Sequence, residues 1–136
     1  MSKYTFTENE FFTAGRDVWF EMRGQKVAEA AMEEAAKHDM TGELRQFLFE
    51  HCFGAVWSRP GLERVTRSTI TISVLTALGR NEELKSHIRM GLNNGLTRDE
   101  LKEIFLHVGV YAGVPTAVAA VRAATEVFAE IDKAKG

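Results

Sequence analysis

Only one stretch of this sequence alternates β-branched residues as a β-strand does, and it is long for a strand. The run from Thr69 to Val74 continues through further apolar residues to Leu78, and Gly79 closes it. Strands usually extend over about four to eight residues, so the length favours a buried helix, although the period alone leaves a strand open. Strand signals are weak elsewhere, and the sequence therefore predicts an all-α fold.

Helix start and stop signals divide the chain into seven segments with short connections. Thr97 and Glu100 form a capping-box pattern, Gly113 suits the position after a helix, and Pro115 suits the first turn of the next one. The predicted helices span about residues 8–22, 25–38, 42–53, 66–78, 81–93, 97–113 and 115–131, with a loop at 54–61. We expect a single-domain bundle, residues 1–136, of six to seven helices.

Length and charge narrow the class of protein. A core built from 136 residues buries its apolar surface incompletely, so an interface between copies of the chain would add useful burial. The formal net charge of −2 gives no indication of nucleic acid or an anionic membrane as a partner. The first ten residues are polar, and no apolar run approaches the roughly 18–20 residues that cross a bilayer. We therefore expect a cytoplasmic protein.

Cysteine and histidine usage argues against redox and metal chemistry. Cys52 is the only cysteine, so the chain has no CxxC pair, and Cys52 itself is expected to pack as a small core residue. There is no HExxH motif and no histidine pair four residues apart. His51, His87 and His107 are widely spaced, so a three-histidine site is geometrically open but unsupported. We expect neither a metal nor a cofactor.

The segment from Asn81 to Asn94 carries one candidate acid–base group. On a helix, Glu83, His87 and Asn94 fall on one stripe, beside an apolar stripe of Leu84, Ile88 and Leu92. Glu83 would orient His87, and the pair would serve in general acid–base catalysis. The alternative is an exposed Glu–His pair without a function.

A second candidate lies around Trp57. Three arginines, Arg59, Arg64 and Arg67, lie within one stretch of nine residues beside this tryptophan. Arginine suits a bidentate grip on carboxylates, and Trp57 would wall an apolar pocket. In the alternative interpretation, the arginines are solvated and Trp57 anchors a core.

Three further residues have weaker signals. His51 precedes Cys52 near a predicted helix end, where it would serve as a C-terminal cap. His107 and Tyr111 lie one turn apart, and Tyr111 would offer a hydroxyl or simply pack at the helix end.

Five blocks of this sequence, in order and in spacing, resemble the carboxymuconolactone decarboxylase family. The resemblance is strong from about residue 51 to 130 and weaker from 11 to 50. The blocks are Phe53-Gly54-Ala55-Val56-Trp57-Ser58-Arg59-Pro60-Gly61-Leu62, Thr66-Arg67-Ser68 with the following Thr69-Ile70-Thr71, residues 79–89, residues 93–100, and Tyr111-Ala112-Gly113-Val114-Pro115.

The resemblance implies an all-α, alkylhydroperoxidase D-like fold that assembles as a homo-oligomer, a hexamer or trimer. It also implies cofactor-independent loss of carbon dioxide from 4-carboxymuconolactone, which yields 3-oxoadipate enol-lactone in aromatic catabolism. The sister branch of alkylhydroperoxidase D proteins uses CxxCxxxH, and here Arg80 and Glu83 stand where its cysteines would be, seven and four residues before His87. Thiol peroxidase chemistry is thereby excluded.

For this reaction we expect His87, oriented by Glu83, to deliver the proton, with His51 as a second proton-transfer candidate. Arg59 and Arg67 would hold the carboxylate or oxyanion. The expected substrate-binding residues are Arg59, Arg67, Trp57, Tyr111 and Asn94. Two departures from the family, the segment 15–20 and His107, leave open another lactone or small-acid reaction on the same scaffold. A non-catalytic oligomer that binds a small acid is the alternative of another class.

Overall fold

The structure, a computed structural model, describes residues 3–136 and confirms the all-α prediction. Over that range it contains seven α-helices and one π-helix and no strand. The α-helices are α1 (Glu10–Arg23), α2 (Gln25–Ala35), α3 (Asp39–Phe47), α4 (Arg64–Leu78), α5 (Asn81–Asn93), α6 (Arg98–Ala112) and α7 (Val114–Ala134), and the π-helix is Leu48–Trp57.

The chain forms two compact units, one ending at Leu62 and the other beginning at Glu63. A single domain over residues 1–136 stays a prediction. None of the helices within residues 3–136 is long and apolar enough to cross a membrane.

The first unit has an aromatic core between α1 and the π-helix. Phe12 and Phe49 are almost completely buried, and the Phe49 ring lies 5.3 Å from Trp19, centroid to centroid. Two glycines let the backbones of these helices approach closely: a methyl group on Gly54 would collide with the carbonyl oxygen of Phe11 in α1. A methyl group on Gly15 would lie 2.7 Å from the amide nitrogen of Gly54. The two glycines therefore set the distance between the helices.

The π-helix corrects the predicted helix 42–53 and the predicted loop 54–61. α3 ends at Phe47, and the chain then continues helically to Trp57 instead of turning into a loop at Gly54. The amide of Ser58 donates to the carbonyl of Phe53 five residues earlier (3.0 Å), which is the π-type pattern. Glycine at position 54 suggested a loop, but here it is needed for close packing inside a helix. Trp57 is consequently a buried helical residue.

The second unit packs α4, α5, α6 and α7 around one aliphatic core. Ile72, Leu84, Ile88 and Leu101 are completely buried in it. The ambiguous run 69–74 is helical, as its length indicated. Hydroxyl groups of this run donate to carbonyls four residues earlier, for example Thr69 to Val65 at 2.9 Å, so a polar β-branched residue is accommodated within a helix.

Caps define where two of these helices begin, and an ion pair links α5 to α7. The predicted capping box is confirmed: the Glu100 amide donates to Thr97 Oγ1 (3.0 Å), and the Thr97 amide donates to Glu100 Oε1 (3.0 Å). α7 begins with proline in its first turn, as predicted for Pro115. Lys85 of α5 pairs with Glu126 of α7 at 2.6 Å.

Candidate active site

His87 lies at the edge of the core of the second unit. On α5, Leu84 and Ile88 are completely buried and Leu92 is half-buried, which confirms the predicted apolar stripe. His87 is half-buried beside it, and its Nδ1 atom is shielded from solvent. Glu83, one turn earlier, is exposed. An imidazole in this position is held by packing on one side and accessible on the other, as a proton donor requires.

The beginning of α4 and the end of α5 meet through a polar contact. Asn94, the C-cap residue of α5, donates from Nδ2 to the Oγ of Ser68 at 2.9 Å. Ser68 is completely buried, and Arg67 next to it is half-buried. The contact brings Asn94 beside the segment that carries Arg67. Along α5, His87 precedes Asn94 by about 10 Å at 1.5 Å per residue.

Ser68 was not among the predicted site residues. Its signal in the sequence was its position directly after Arg67, at the start of a mostly apolar helix. Burial of a hydroxyl group requires a hydrogen-bonding partner, and the partner, Asn94, lies 26 residues away. Only the tertiary contact identifies Ser68 as the residue that positions Asn94.

The end of α6 carries Tyr111 and His107 on its surface. Their rings stack with centroids 5.2 Å apart, and Tyr111 is 83% exposed. His107 also borders a cavity of about 290 Å³ between α4 and α6, with Thr69, Ser73 and Glu103. Tyr111 is therefore not packed in the core of its own chain.

The remaining predicted site residues lie in the first unit. Trp57 is 6% exposed, with its ring 6.0 Å from that of Phe53, and Arg59 is exposed just beyond the π-helix. His51 is an exposed residue within the π-helix rather than near a helix end, so the predicted capping role is wrong. Its ring lies 4.5 Å from that of Phe47, and it borders a cavity of about 180 Å³.

Cys52 has the environment of a structural thiol. It is half-buried, and burial raises the pKa of the thiol above its usual value. The thiolate, which is the nucleophilic form, is therefore disfavoured. Residues 3–136 contain no group of three or more histidine, cysteine, aspartate or glutamate side chains placed to hold a metal ion.

Comparison with known proteins identifies relatives along most of the chain. Residues 42–126 match the model of the carboxymuconolactone decarboxylase family. The chain is 43% identical over 124 residues to a 4-carboxymuconolactone decarboxylase from Acinetobacter baylyi, which covers 91% of each chain. It is 34% identical over 109 residues to a nitrosuccinic acid decarboxylase from Metarhizium robertsii, which covers 80% of this chain and 75% of the relative.

An uncharacterised 15.0 kDa protein from Paracoccus denitrificans is 32% identical over 118 residues, 81% of this chain and 88% of the relative. The range that matches the family model begins within α3, ends within α7 and includes all eight predicted site residues.

Proposed function

The chain belongs to the carboxymuconolactone decarboxylase family, and we propose that it is a carboxy-lyase that decarboxylates 4-carboxymuconolactone without a cofactor. The product would be 3-oxoadipate enol-lactone, and the pathway the catabolism of aromatic acids. The observation that carries the proposal is the 43% identity to a protein with this activity in its name, over 91% of both chains.

The substrate itself supplies the electron sink. Its ring carboxylate is attached to the carbon beside the ring oxygen, and a C=C bond conjugates that carbon to the lactone carbonyl. When the carbon–carboxylate bond breaks, the electron pair passes through the alkene onto the carbonyl oxygen, and carbon dioxide leaves. The resulting dienolate then takes a proton on carbon. The protein has to hold the second carboxylate, stabilise the oxyanion and supply the proton.

We assign the proton to His87 and its orientation to Glu83. The half-buried position of His87 beside Leu84 and Ile88 supports this assignment, because packing restricts the imidazole while one side stays accessible. His51 is the second candidate. It is exposed in this chain, so it would need a further surface to exclude water.

We assign the negative charges of substrate and intermediate to Arg59 and Arg67. A well-placed donor to a developing oxyanion contributes about 3–4 kcal/mol to lowering the barrier. Asn94, held by Ser68, would contribute its amide to substrate binding. Trp57 and Tyr111 would exclude water, and for Tyr111 this requires a partner copy because the side chain is 83% exposed.

The proposed function is tested by generating 4-carboxymuconolactone in situ with its upstream cycloisomerase. The chain should then accelerate carbon dioxide release in proportion to its concentration. The ultraviolet absorbance should change in parallel as the lactone is converted. Release at the rate of the enzyme-free mixture, from folded protein, would contradict the proposal.

A second candidate is a decarboxylase of another small acid, and the 34% identity to the nitrosuccinic acid decarboxylase favours it. A nitro group beside a carboxylate is also an electron sink, so the same three tasks fall to the protein. To separate the two candidates, kcat/KM is measured for nitrosuccinate and for the lactone with the same protein. The substrate with the higher value identifies the function.

We also propose that the chain acts as a homo-oligomer, a trimer or hexamer, through the end of α6 and the beginning of α7. Large apolar side chains at helical spacing stand exposed there, and soluble monomers rarely expose contiguous apolar patches of this kind. They are Leu106 (57%), Val110 (80%), Tyr111 (83%), Val114 (68%), Val118 (50%) and Val121 (48%). The expected cytoplasmic location stays a prediction.

Light scattering on a sizing column tests this interface. The wild type should have a mass several times the 15.2 kDa of one chain, and Val110→Glu should lower it to that of a smaller species, because a buried unpaired charge is costly. Lys26→Gln, at an exposed position of α2, changes the net charge equally and should leave the mass unaltered. A Val110→Glu protein with the wild-type mass would place the interface elsewhere.

A further inference from the structure

Arg45 on α3 differs from other arginines that lie over aromatic rings in this chain. Its Cζ atom is 4.6 Å from the centroid of Trp19 and 5.8 Å from that of Phe49. Within residues 3–136 its guanidinium group forms no ion pair and no hydrogen bond. Arginine carries five N–H donors in a planar fork, so this contact with two rings leaves its donors available.

Two other arginines show what a complete arrangement looks like. Arg16 lies 5.6 Å from the centroid of Phe12 and pairs with Glu8 at 2.7 Å. Arg98 lies 4.5 Å from the centroid of Phe128 and pairs with a carboxylate oxygen of Asp132 at 2.6 Å. In both cases a ring covers the guanidinium face while a carboxylate takes its N–H groups. Arg45 also lies over aromatic rings, but none of residues 3–136 provides a carboxylate for its N–H groups.

The surroundings of Arg45 make an added anion favourable. The side chain is half-buried, and a second cation, Arg23, lies over the same indole with its Cζ 5.7 Å from the Trp19 centroid. Burial, and then repulsion from Arg23, lowers the pKa of Arg45. A charge that is partly removed from water is stabilised by an opposite charge beside it.

A cavity of about 290 Å³ opens beside Arg45. Its walls are largely apolar, formed by Ala31, Ala35, Leu44 and Leu48. The polar residues that border it are occupied or peripheral: Glu34 pairs with Lys37 at 2.6 Å, the Thr41 hydroxyl donates to the Ala35 carbonyl at 2.7 Å, and His38 is exposed. The volume lies at the lower end of the range of about 300–1,000 Å³ for ligand pockets.

We propose that Arg45 and this cavity bind an organic monocarboxylate with a short apolar body. The carboxylate would take the N–H groups of Arg45, as Asp132 takes those of Arg98, and the apolar body would cover Leu44 and Leu48. Inorganic oxyanions would bind less well, because they leave the apolar walls wet. None of the residues assigned to decarboxylation borders this cavity, so the proposal does not depend on that reaction.

Isothermal titration calorimetry with hexanoate and, separately, sulfate tests the site. Hexanoate should bind the wild type, and Arg45→Gln should weaken it by about ten-fold or more, as expected for loss of a charge-assisted hydrogen bond. Sulfate should bind the wild type at least about ten-fold more weakly than hexanoate. Arg16→Gln, which alters a ring-stacked arginine that already has its carboxylate, should leave hexanoate affinity within about two-fold.

Equal hexanoate affinity in the wild type and in folded Arg45→Gln would overturn the proposal. So would a wild type that binds sulfate as tightly as it binds hexanoate. Should Arg45→Gln fail to fold, Ala31→Leu fills the cavity without touching the guanidinium; loss of binding there supports the site, and retained binding rejects it. Absence of hexanoate binding to the wild type, with a lower oligomer mass in Arg45→Gln, would mean that a carboxylate of a second copy occupies the position, and this too would overturn the proposal.

Discussion

Replacing His87 with glutamine should lower kcat for carbon dioxide release by about 10²–10⁴-fold, the contribution of a positioned general acid. Glutamine keeps the approximate size and polarity of histidine but delivers no proton at neutral pH. KM should change by only a few-fold, because the imidazole acts on the dienolate rather than on the bound substrate. The measurement is steady-state turnover on lactone generated in situ.

Two comparisons separate this effect from structural damage. Lys102→Gln, an exposed change on α6, should leave kcat within about two-fold, and thermal melts should match for all variants. His51→Gln tests the other proton donor. If His51→Gln lost more activity than His87→Gln, His51 in the π-helix would have to be the proton donor instead of His87.

Adding one methyl group at Gly54 should destabilise the first unit by about 3 kcal/mol or more, at or beyond the upper end of the usual cost of overpacking an interior. The new carbon would collide with the carbonyl oxygen of Phe11 in α1 and would lie 2.9 Å from the carbonyl carbon of the same residue. These are backbone atoms, so no side-chain rotation relieves the clash and the two helices must separate. Urea denaturation of Gly54→Ala, at equal protomer concentration, measures the loss of unfolding free energy.

Gly61→Ala is the matched control for this substitution. No atom lies within 4 Å of a methyl group built there, so the free energy of unfolding should stay within about 0.5 kcal/mol of the wild type. A Gly54→Ala protein as stable as Gly61→Ala would mean that α1 and the π-helix tolerate a wider separation than their packing implies.

Helix positions were predictable where local chemistry decides them. The capping box of Thr97 and Glu100 uses residues three apart, so the sequence alone contains both partners. The buried stripe of Leu84 and Ile88 was likewise predictable, because helical periodicity determines which side chains share a face.

The π-helix was not predictable by the same reasoning. Its apolar residues are compatible with an α-helix, and Gly54 suggests a loop when read locally. The tight backbone contact with α1, a segment about 40 residues earlier, gives that glycine its role. The same error put Trp57 in a loop and His51 at a helix end.

Some residues of the candidate site were likewise predictable from the sequence, and others were not. The sequence alone singled out His87 and Arg67, because His87 lies beside an apolar stripe and Arg67 lies at the start of a mostly apolar helix. It also determined the family, since five blocks keep their order and spacing. The contact between Ser68 and Asn94 depends on residues brought together from distant parts of the chain. So does the position of Arg45 over two aromatic rings, without a carboxylate partner among residues 3–136. Only the tertiary structure decided these, because hydrogen bonding and burial depend on distance in space, which helical period and motif spacing do not encode.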